Sequence, residues 1–349
     1  MKSNYKRLGD YIRQVDVRNR GIITNNLLGI NIDKFFMPSV ANVIGTDLSN
    51  YKLIKNNQFA CNPMHVGRDE RIPVALYLEK SEAIVSPAYF VFEIIKDELL
   101  SQYLMLWFRR PEFDRECWFY TDASVRGGIT WEDFCEMRIP VPPMEDQEKI
   151  VDAYQTIEHR ITLKKKINEN LEAQALCLYS NLVNGIEPNT PMSEIYKFQY
   201  GKGNNNPDNG GVYPIYGSNG VIGGYDTFNN EDAPVIGHIG SCGSLIFAFG
   251  KHFVTYNGIM CNCIDPIYKW FGYLTLKKQN LQEQVRGSTQ PFISYDMLYE
   301  ICVPLPNREQ ILKFNCIIDP LLNSIRKIIV ETRLLKYVES LLLQKIVNV

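Results

Sequence analysis

The chain has 349 residues, of which 45% are hydrophobic and 22% charged, a globular composition with room for two domains of ordinary size. Its 37 Lys and Arg against 39 Asp and Glu leave a net charge of -2. That balance argues against a lone DNA binder that relies on phosphate neutralisation; in such a role something else would have to supply much of the positive field.

In chain order, "RLGDYIRQV" reads as a capped short helix. "VALYLEK" and "EAIVSPAYFVFEII" read as strands, and "DELLSQYLMLWFRR" reads as a helix. "GGITWEDFCEMRIPVPPMEDQEKI" then leads into a helix whose apolar residues keep a heptad spacing. They are Ile150, Tyr154, Ile157 and Ile161, then Leu171, Ala175, Leu178 and Leu182, with Lys164 and Asn168 as the polar interruptions. Asn184-Gly185 caps this helix and Pro188 prevents its return. About forty residues at ~1.5 Å each make a rod of roughly 60 Å.

The second half opens on "PMSEIYKFQ" at the matching place. Glycine-punctuated strands follow in "VYPIYGSNGVIGGYDTF" and "APVIGHIGSCGSLIFAFGKHFVTYNGIM". Then "GSTQPFISYDMLYEICVPLPNREQILKF" repeats the earlier joint, and the cores align without a gap. Ile129, Thr130, Trp131 and Glu132 match Ile293, Ser294, Tyr295 and Asp296, and Pro140 and Pro142 match Pro304 and Pro306. Val-Arg-Gly precedes both copies, and an acid followed by Gln closes both. The second helix carries Ile311, Phe314, Ile318, Leu321, Ile325, Ile328, Leu335 and Leu342, with Thr332 interrupting. Pro320 predicts a kink or a fresh start there. Neither amphipathic helix can bury its own stripe, so the two are expected to bury each other as an intramolecular coiled coil. The parts before the helices differ greatly, which suggests two variable heads on a fixed frame.

Catalytic machinery is missing from the pattern. No G-x-x-x-x-G-K-[ST] occurs, and "FACNPMH" lacks the second proline and the aromatic of an amino-methyltransferase loop. His65, His159, His238 and His252 stand apart in sequence. The nine cysteines include no C-x-x-C and read as reduced thiols, so no metal or cofactor is expected in this chain. No apolar run is long enough to span a membrane, and "MKSNYKRLGDY" lacks a signal-peptide core, so a soluble cytoplasmic protein is expected.

The doubled I-[TS]-x-[ED] joint ending in prolines and glutamine, the helix after each joint, and "YKRLGDYI" resemble the specificity (S) subunits of type I DNA restriction–modification enzymes. "YPIYGSNGVIGGYD", "PVIGHIGSCGSL" and "RGSTQPFIS" add to the likeness, which covers essentially the whole chain. In place of the basic residue often found before the second Gly-Ser turn stands His238-Ile239.

The resemblance implies an α+β chain. Two mixed α/β target-recognition domains, residues 1–142 and 186–306, would be joined by two long antiparallel coiled-coil helices, residues 143–185 and 307–349, in a pseudo-two-fold repeat. It implies a non-catalytic subunit of a DNA adenine methyltransferase and restriction complex, reading one half of a split site in double-stranded DNA with each domain. Two methyltransferase (M) subunits, with restriction (R) subunits, would hold the S-adenosylmethionine, ATP and Mg. A methylation-only system or a protein-only coiled-coil scaffold are the alternatives.

Side chains able to make paired hydrogen bonds to base edges, in polar loops, mark the candidate readers. In the first head these are Arg18, Asn19, Arg20, His65, Arg68, Arg71, Arg126 and Gly128. In the second they are Ser218, Asn219, Ser241, Thr255, Asn257, Ser288, Thr289 and Gln290. Candidate partner contacts are Ile139, Pro140, Pro142, Gln147, Val303, Pro304, Pro306 and Gln310.

Overall fold

The doubled joint folds as a doubled strand pair, once in each of two units. A computed structural model describes residues 5–40, 45–64, 66–121, 127–203, 206–287 and 291–346. The first unit comprises residues 1–162 with 333–349, and the second residues 163–332.

In chain order the first unit has β1 (Tyr5–Arg7), β2 (Ile12–Gln14), β3 (Leu28–Ile30), β4 (Phe36–Pro38), β5 (Lys52–Ile54) and β6 (Gln58–Cys61). It continues with α1 (Val66–Asp69), β7 (Val74–Tyr77), β8 (Ala83–Val85), β9 (Phe90–Ile94), α2 (Ser101–Phe108), α3 (Pro111–Phe119), α4 (Trp131–Glu136) and β10 (Arg138–Pro140). The long helix α5 (Met144–Leu182) follows, and its part from Leu163 on counts with the second unit. Strands β2, β9, β6 and β7 form an antiparallel sheet in that order. The pairs β3–β4 and β5–β8 are additions beside it. Aromatic rings fill the core under the sheet: Phe59 stacks on Phe92 at 5.0 Å, and Phe108 meets Phe113 at 4.8 Å. Each such ring taken fully from water stabilises by about 1.5–3 kcal/mol.

The second unit has β11 (Thr190–Pro191), β12 (Tyr196–Tyr200), β13 (Tyr213–Gly217), β14 (Gly220–Tyr225), β15 (Asn230–Gly237), β16 (Leu245–Val254) and β17 (Gly258–Cys263). Then come α6 (Lys269–Lys278), α7 (Tyr295–Tyr299), β18 (Cys302–Val303) and the long helix α8 (Arg308–Lys345), of which the part from Arg333 on counts with the first unit. Strands β12, β17, β15 and β16 are joined antiparallel in that order. This is the arrangement of β2, β9, β6 and β7, and in both units a helix follows the second strand of the order (α2 after β9, α6 after β17). The heads therefore share a four-stranded core that their sequences conceal. They differ in what is added. In the second unit β13 pairs in parallel with β16, and β14 extends the sheet to six strands.

The joints repeat in their strand pairing and helix caps. β1 pairs with β10 and β11 with β18, both antiparallel. Leu8 N donates to Met137 O at 2.7 Å, and Met192 N donates to Ile301 O at 2.9 Å. Thr130 and Ser294 cap α4 and α7, accepting from the amides of Asp133 and Met297. "RLGDYIRQV" and "PMSEIYKFQ" form only single 3-10 turns, Leu8–Asp10 and Met192–Glu194, rather than short α-helices. The flanking residues are drawn into strands that pair elsewhere in each unit.

Within the second unit the two long helices run antiparallel: Lys164, near the start of its share of α5, pairs with Glu331, at the end of its share of α8. Ala175, Tyr179, Ile311, Phe314, Ile318, Leu322 and Ile325 share its core. Within the first unit Val151, Tyr154 and Ile346 are buried together. The expected seam is corrected at Val151, Tyr179 and Leu322, which are buried where Ile150, Leu178 and Leu321 are only half-buried. Packing against a head widens the stripe beyond a two-helix seam. Pro320 does not interrupt α8, which runs through it as one helix. Ile318 and Leu322 are buried on either side of it, and Asp319 accepts a hydrogen bond from Trp270 Nε1. Among the described residues no helix is long and apolar enough to cross a membrane, and no group of His, Cys, Asp or Glu could hold a metal ion.

Candidate nucleic-acid interface

Each core sheet has one end from which the long polar loops leave. In the first unit Gln14 lies opposite Phe92, and Cys61 lies opposite both Phe90 and Val74. The loops after β2 and β6 and before β7 and β9 therefore share an end. In the second unit Tyr200 opposes Ile259, Gly237 opposes Gly258, and Ile236 opposes Leu245. The loops after β12 and β15 and before β16 and β17 share the corresponding end.

In the first unit the joint's leading segment folds onto the loop after β6. Gly67 N donates to Gly127 O at 3.0 Å and Ile129 N to Pro63 O at 3.2 Å. A Cβ on Gly128 would lie 2.9 Å from Pro63 O, so glycine is needed for this approach. Arg18 is half-buried, donating to Asn50 O at 2.8 Å and pairing with Asp16 at 2.8 Å. Arg20 is exposed. Arg68 holds Asp69 through Nε and Nη2, at 2.6 and 2.8 Å. Arg71 pairs with Asp33 at 3.1 Å.

Asn19 is a correction. It is fully buried, its Nδ2 donates to Thr24 O and Leu48 O, and its Oδ1 accepts from the amides of Ile23 and Thr24. Its amide closes the loop and has no group left for a base. His65 and Arg126 lie outside the described residues.

In the second unit Ser218, Asn219, Ser241, Thr255 and Asn257 come to the same loop end. Ser241 N donates to Ser218 Oγ at 3.5 Å, and Ser244 Oγ donates to Ser218 O. Asn219 and Ser241 are exposed and Asn257 is half-buried. Thr255 is buried; its hydroxyl donates to Tyr216 O at 3.4 Å, so it shapes the turn rather than facing out. Gly201 closes the floor, where a Cβ would fall 2.1 Å from Thr255 O. Ser288, Thr289 and Gln290 lie outside the described residues; Arg286 and Phe292, on either side of them, form a bridge. Burial raises the pKa of the Cys242 thiol. That thiol donates to the carbonyls of Pro291 and His238, at 3.0 and 3.3 Å.

Lys202 and Arg286 are cations at this end that sequence reasoning missed. Both are exposed. The signal for Arg286 was present, because it occupies the place of Arg126 in the doubled Val-Arg-Gly. Lys202 has no such signal; only the bond from its own N–H to Val254 O places it.

The expected partner contacts are mostly interior, which is a second correction. Ile139, Pro140, Pro142, Gln147, Val303 and Pro306 are buried within their units, Pro304 is half-buried and Gln310 is exposed. Ile139 and Val303 lie in the paired strands of the joints. Gln147 accepts from Leu100 N at 2.9 Å and donates to Glu98 O and Pro142 O, both at 2.8 Å. Gln310 instead forms a capping box with Asn307 at the start of α8. The buried ones help fix where each helix begins, which leaves Pro304 and Gln310 as the members of the set that reach the surface.

Residues 5–173 match the family model of the type I restriction modification DNA specificity domain. None of the curated proteins matches the sequence. Among solved structures, the S subunit of a type I restriction-modification system from M. genitalium aligns over 98% of this chain and 95% of its own, with a TM-score of 0.61 at 16% identity. A chain from a study of complex assembly and conformational transition of the type I R-M system covers 98% and 97%, with a TM-score of 0.46 at 16% identity. The HsdS subunit from Thermoanaerobacter tengcongensis covers 98% and 95%, with a TM-score of 0.41 at 14% identity.

Proposed function

We propose that this chain, whose residues 5–173 belong to the type I restriction modification DNA specificity domain family, is the non-catalytic DNA-reading subunit of a type I restriction–modification complex. Its heads, residues 1–142 and 186–306, each read one half of a split site. The observation that carries this reading is the repetition itself. One loop end, on one four-stranded core, occurs twice with different side chains. The first presents chiefly arginines (Arg18, Arg20, Arg68 and Arg71), and the second Asn219, Ser241, Asn257 and Arg286. Arginine suits guanine and asparagine suits adenine in paired hydrogen bonding to base edges.

The helical segments, residues 143–185 and 307–349, dock two methyltransferase subunits, and restriction subunits join the assembly in the cytoplasm. Exposed apolar side chains support docking there. Leu334, Tyr337, Val338 and Leu341 project from α8 in the first unit, and Leu163, Ile167, Ile329 and Val330 are exposed in the second. A helix leaves such a row in water when a partner covers it. S-adenosylmethionine, ATP and Mg belong to the partners.

The test is a swap of residues 186–306 for another head of the family, with methylated sites mapped in cells that hold the methyltransferase subunit. One half-site should change and the other stay. A change in both or in neither refutes the reading.

A further inference from the structure

We infer that His238 is a positioning residue that sets the loop end of the second unit for base discrimination. This rests on the reading of that unit as the reader of one half-site. His238 follows β15 and is 5% exposed. Its N–H donates to Asn257 O at 2.8 Å, and its carbonyl accepts from Ile293 N at 3.1 Å and from the Cys242 thiol at 3.3 Å. Its ring Nδ1 lies 2.5 Å from Ile293 O. A carbonyl can only accept, so Nδ1 carries the proton and the tautomer is set. The ring lies against Tyr200 at 4.4 Å and Tyr256 at 5.3 Å, and Tyr200 in turn meets Tyr295 at 4.8 Å. One side chain thus ties the ends of β12 and β15, the turn before β17 and the segment that enters α7.

The first unit shows which of these bonds the fold requires. There Ile129 N donates to Pro63 O at 3.2 Å, the counterpart of Ile293 N donating to His238 O. The main-chain bond therefore occurs in both units. Proline has no ring donor, so the bond from the side chain to the joint occurs only in the second. The joint closes without it in the first unit. What the imidazole adds is local: it fixes residues 291–293 against the turns that carry Ser241 and Asn257, with Arg286 bridged to Phe292. A base-edge contact depends on such placement, because a hydrogen bond weakens steeply with distance and angle.

The test uses the full chain assembled with its methyltransferase subunit and maps methylated sites, with thermal unfolding measured in parallel. His238→Ala is expected to relax the half-site read by the second unit by about 10-fold, the loss of one well-placed base contact. The other half-site should stay unchanged. His238→Asn keeps an N–H near Ile293 O and should restore discrimination, whereas His238→Phe keeps the ring, removes the donor and should not. An unchanged motif in a folded His238→Ala, or equal relaxation of both halves, overturns the inference. So does loss of folding in both the Asn and Phe variants, since the role would then be structural. A swap of residues 186–306 in the wild-type background tests the underlying reading separately, because it replaces the whole second head, His238 included, and reads only which half-site that head sets.

Discussion

The two glutamines that close the joints align in sequence but should differ several-fold in energetic weight. Gln147→Ala removes a fully buried side chain that makes three hydrogen bonds. One of these accepts from Leu100 N, at the residue that precedes α2, where no side chain of α2's own cap does so. Each bond contributes a net ~0.5–1.5 kcal/mol, and a buried group left unpaired costs ~1–3 kcal/mol. The Glu98 carbonyl belongs to an exposed residue and can turn to water, while Pro142 is buried. The expected loss is about 2–4 kcal/mol. Gln310→Ala removes one arm of an exposed capping box, a loss of about 0.5–1 kcal/mol. Equilibrium urea unfolding of both variants reads the difference. Gln147→Glu should be worse than Ala, since a carboxylate cannot donate to Glu98 O or Pro142 O and would be buried charged. Equal losses for Gln147→Ala and Gln310→Ala, or less than about 0.5 kcal/mol for the former, would refute the assignment of Gln147 as an interior lock.

Asp114→Ala should destabilise by about 3–5 kcal/mol, because it strands the buried Lys34 ammonium, whose pKa burial already lowers. Lys34→Met in the same chain should recover part of the loss in a denaturation titration. Ile161→Ala should cost about 2–4 kcal/mol and Ile157→Ala less, since only Ile161 is buried; equal costs in thermal unfolding would show that the helix face is misassigned. Glu93 is held below the usual carboxylate range by hydrogen bonds from Arg13 and then Gln58. Its contribution is present above the unfolded value of roughly 4.3 and is lost as pH falls through the lower folded value. Glu93→Gln should therefore weaken the chain at neutral pH and converge with wild type in acid, as followed by circular dichroism across a pH series.

The sequence by itself determined the repeat, both joints and both long helices. Those features rest on local chemistry. Thr130 and Ser294 are caps whose partners lie three residues on, and the apolar spacing of α5 and α8 is a helical period. It also placed Ser218, Asn219, Ser241 and Asn257 in loops, because Gly-Ser turns between alternating strands announce themselves. It did not disclose the four-stranded core common to both heads. Strand order is set by pairings between segments far apart, such as Phe59 with Phe92 and Val235 with Met260, and two different sequences satisfy the same pairings. Nor could it separate Gln147 from Gln310, or Asn19 from Arg20. Burial, not residue type, decides whether an amide serves the fold or the surface, and burial follows from what the rest of each unit packs against it. The same holds for Pro320, where local stiffness predicts a break and the flanking side chains, buried among residues of α5 and α6, keep the helix whole.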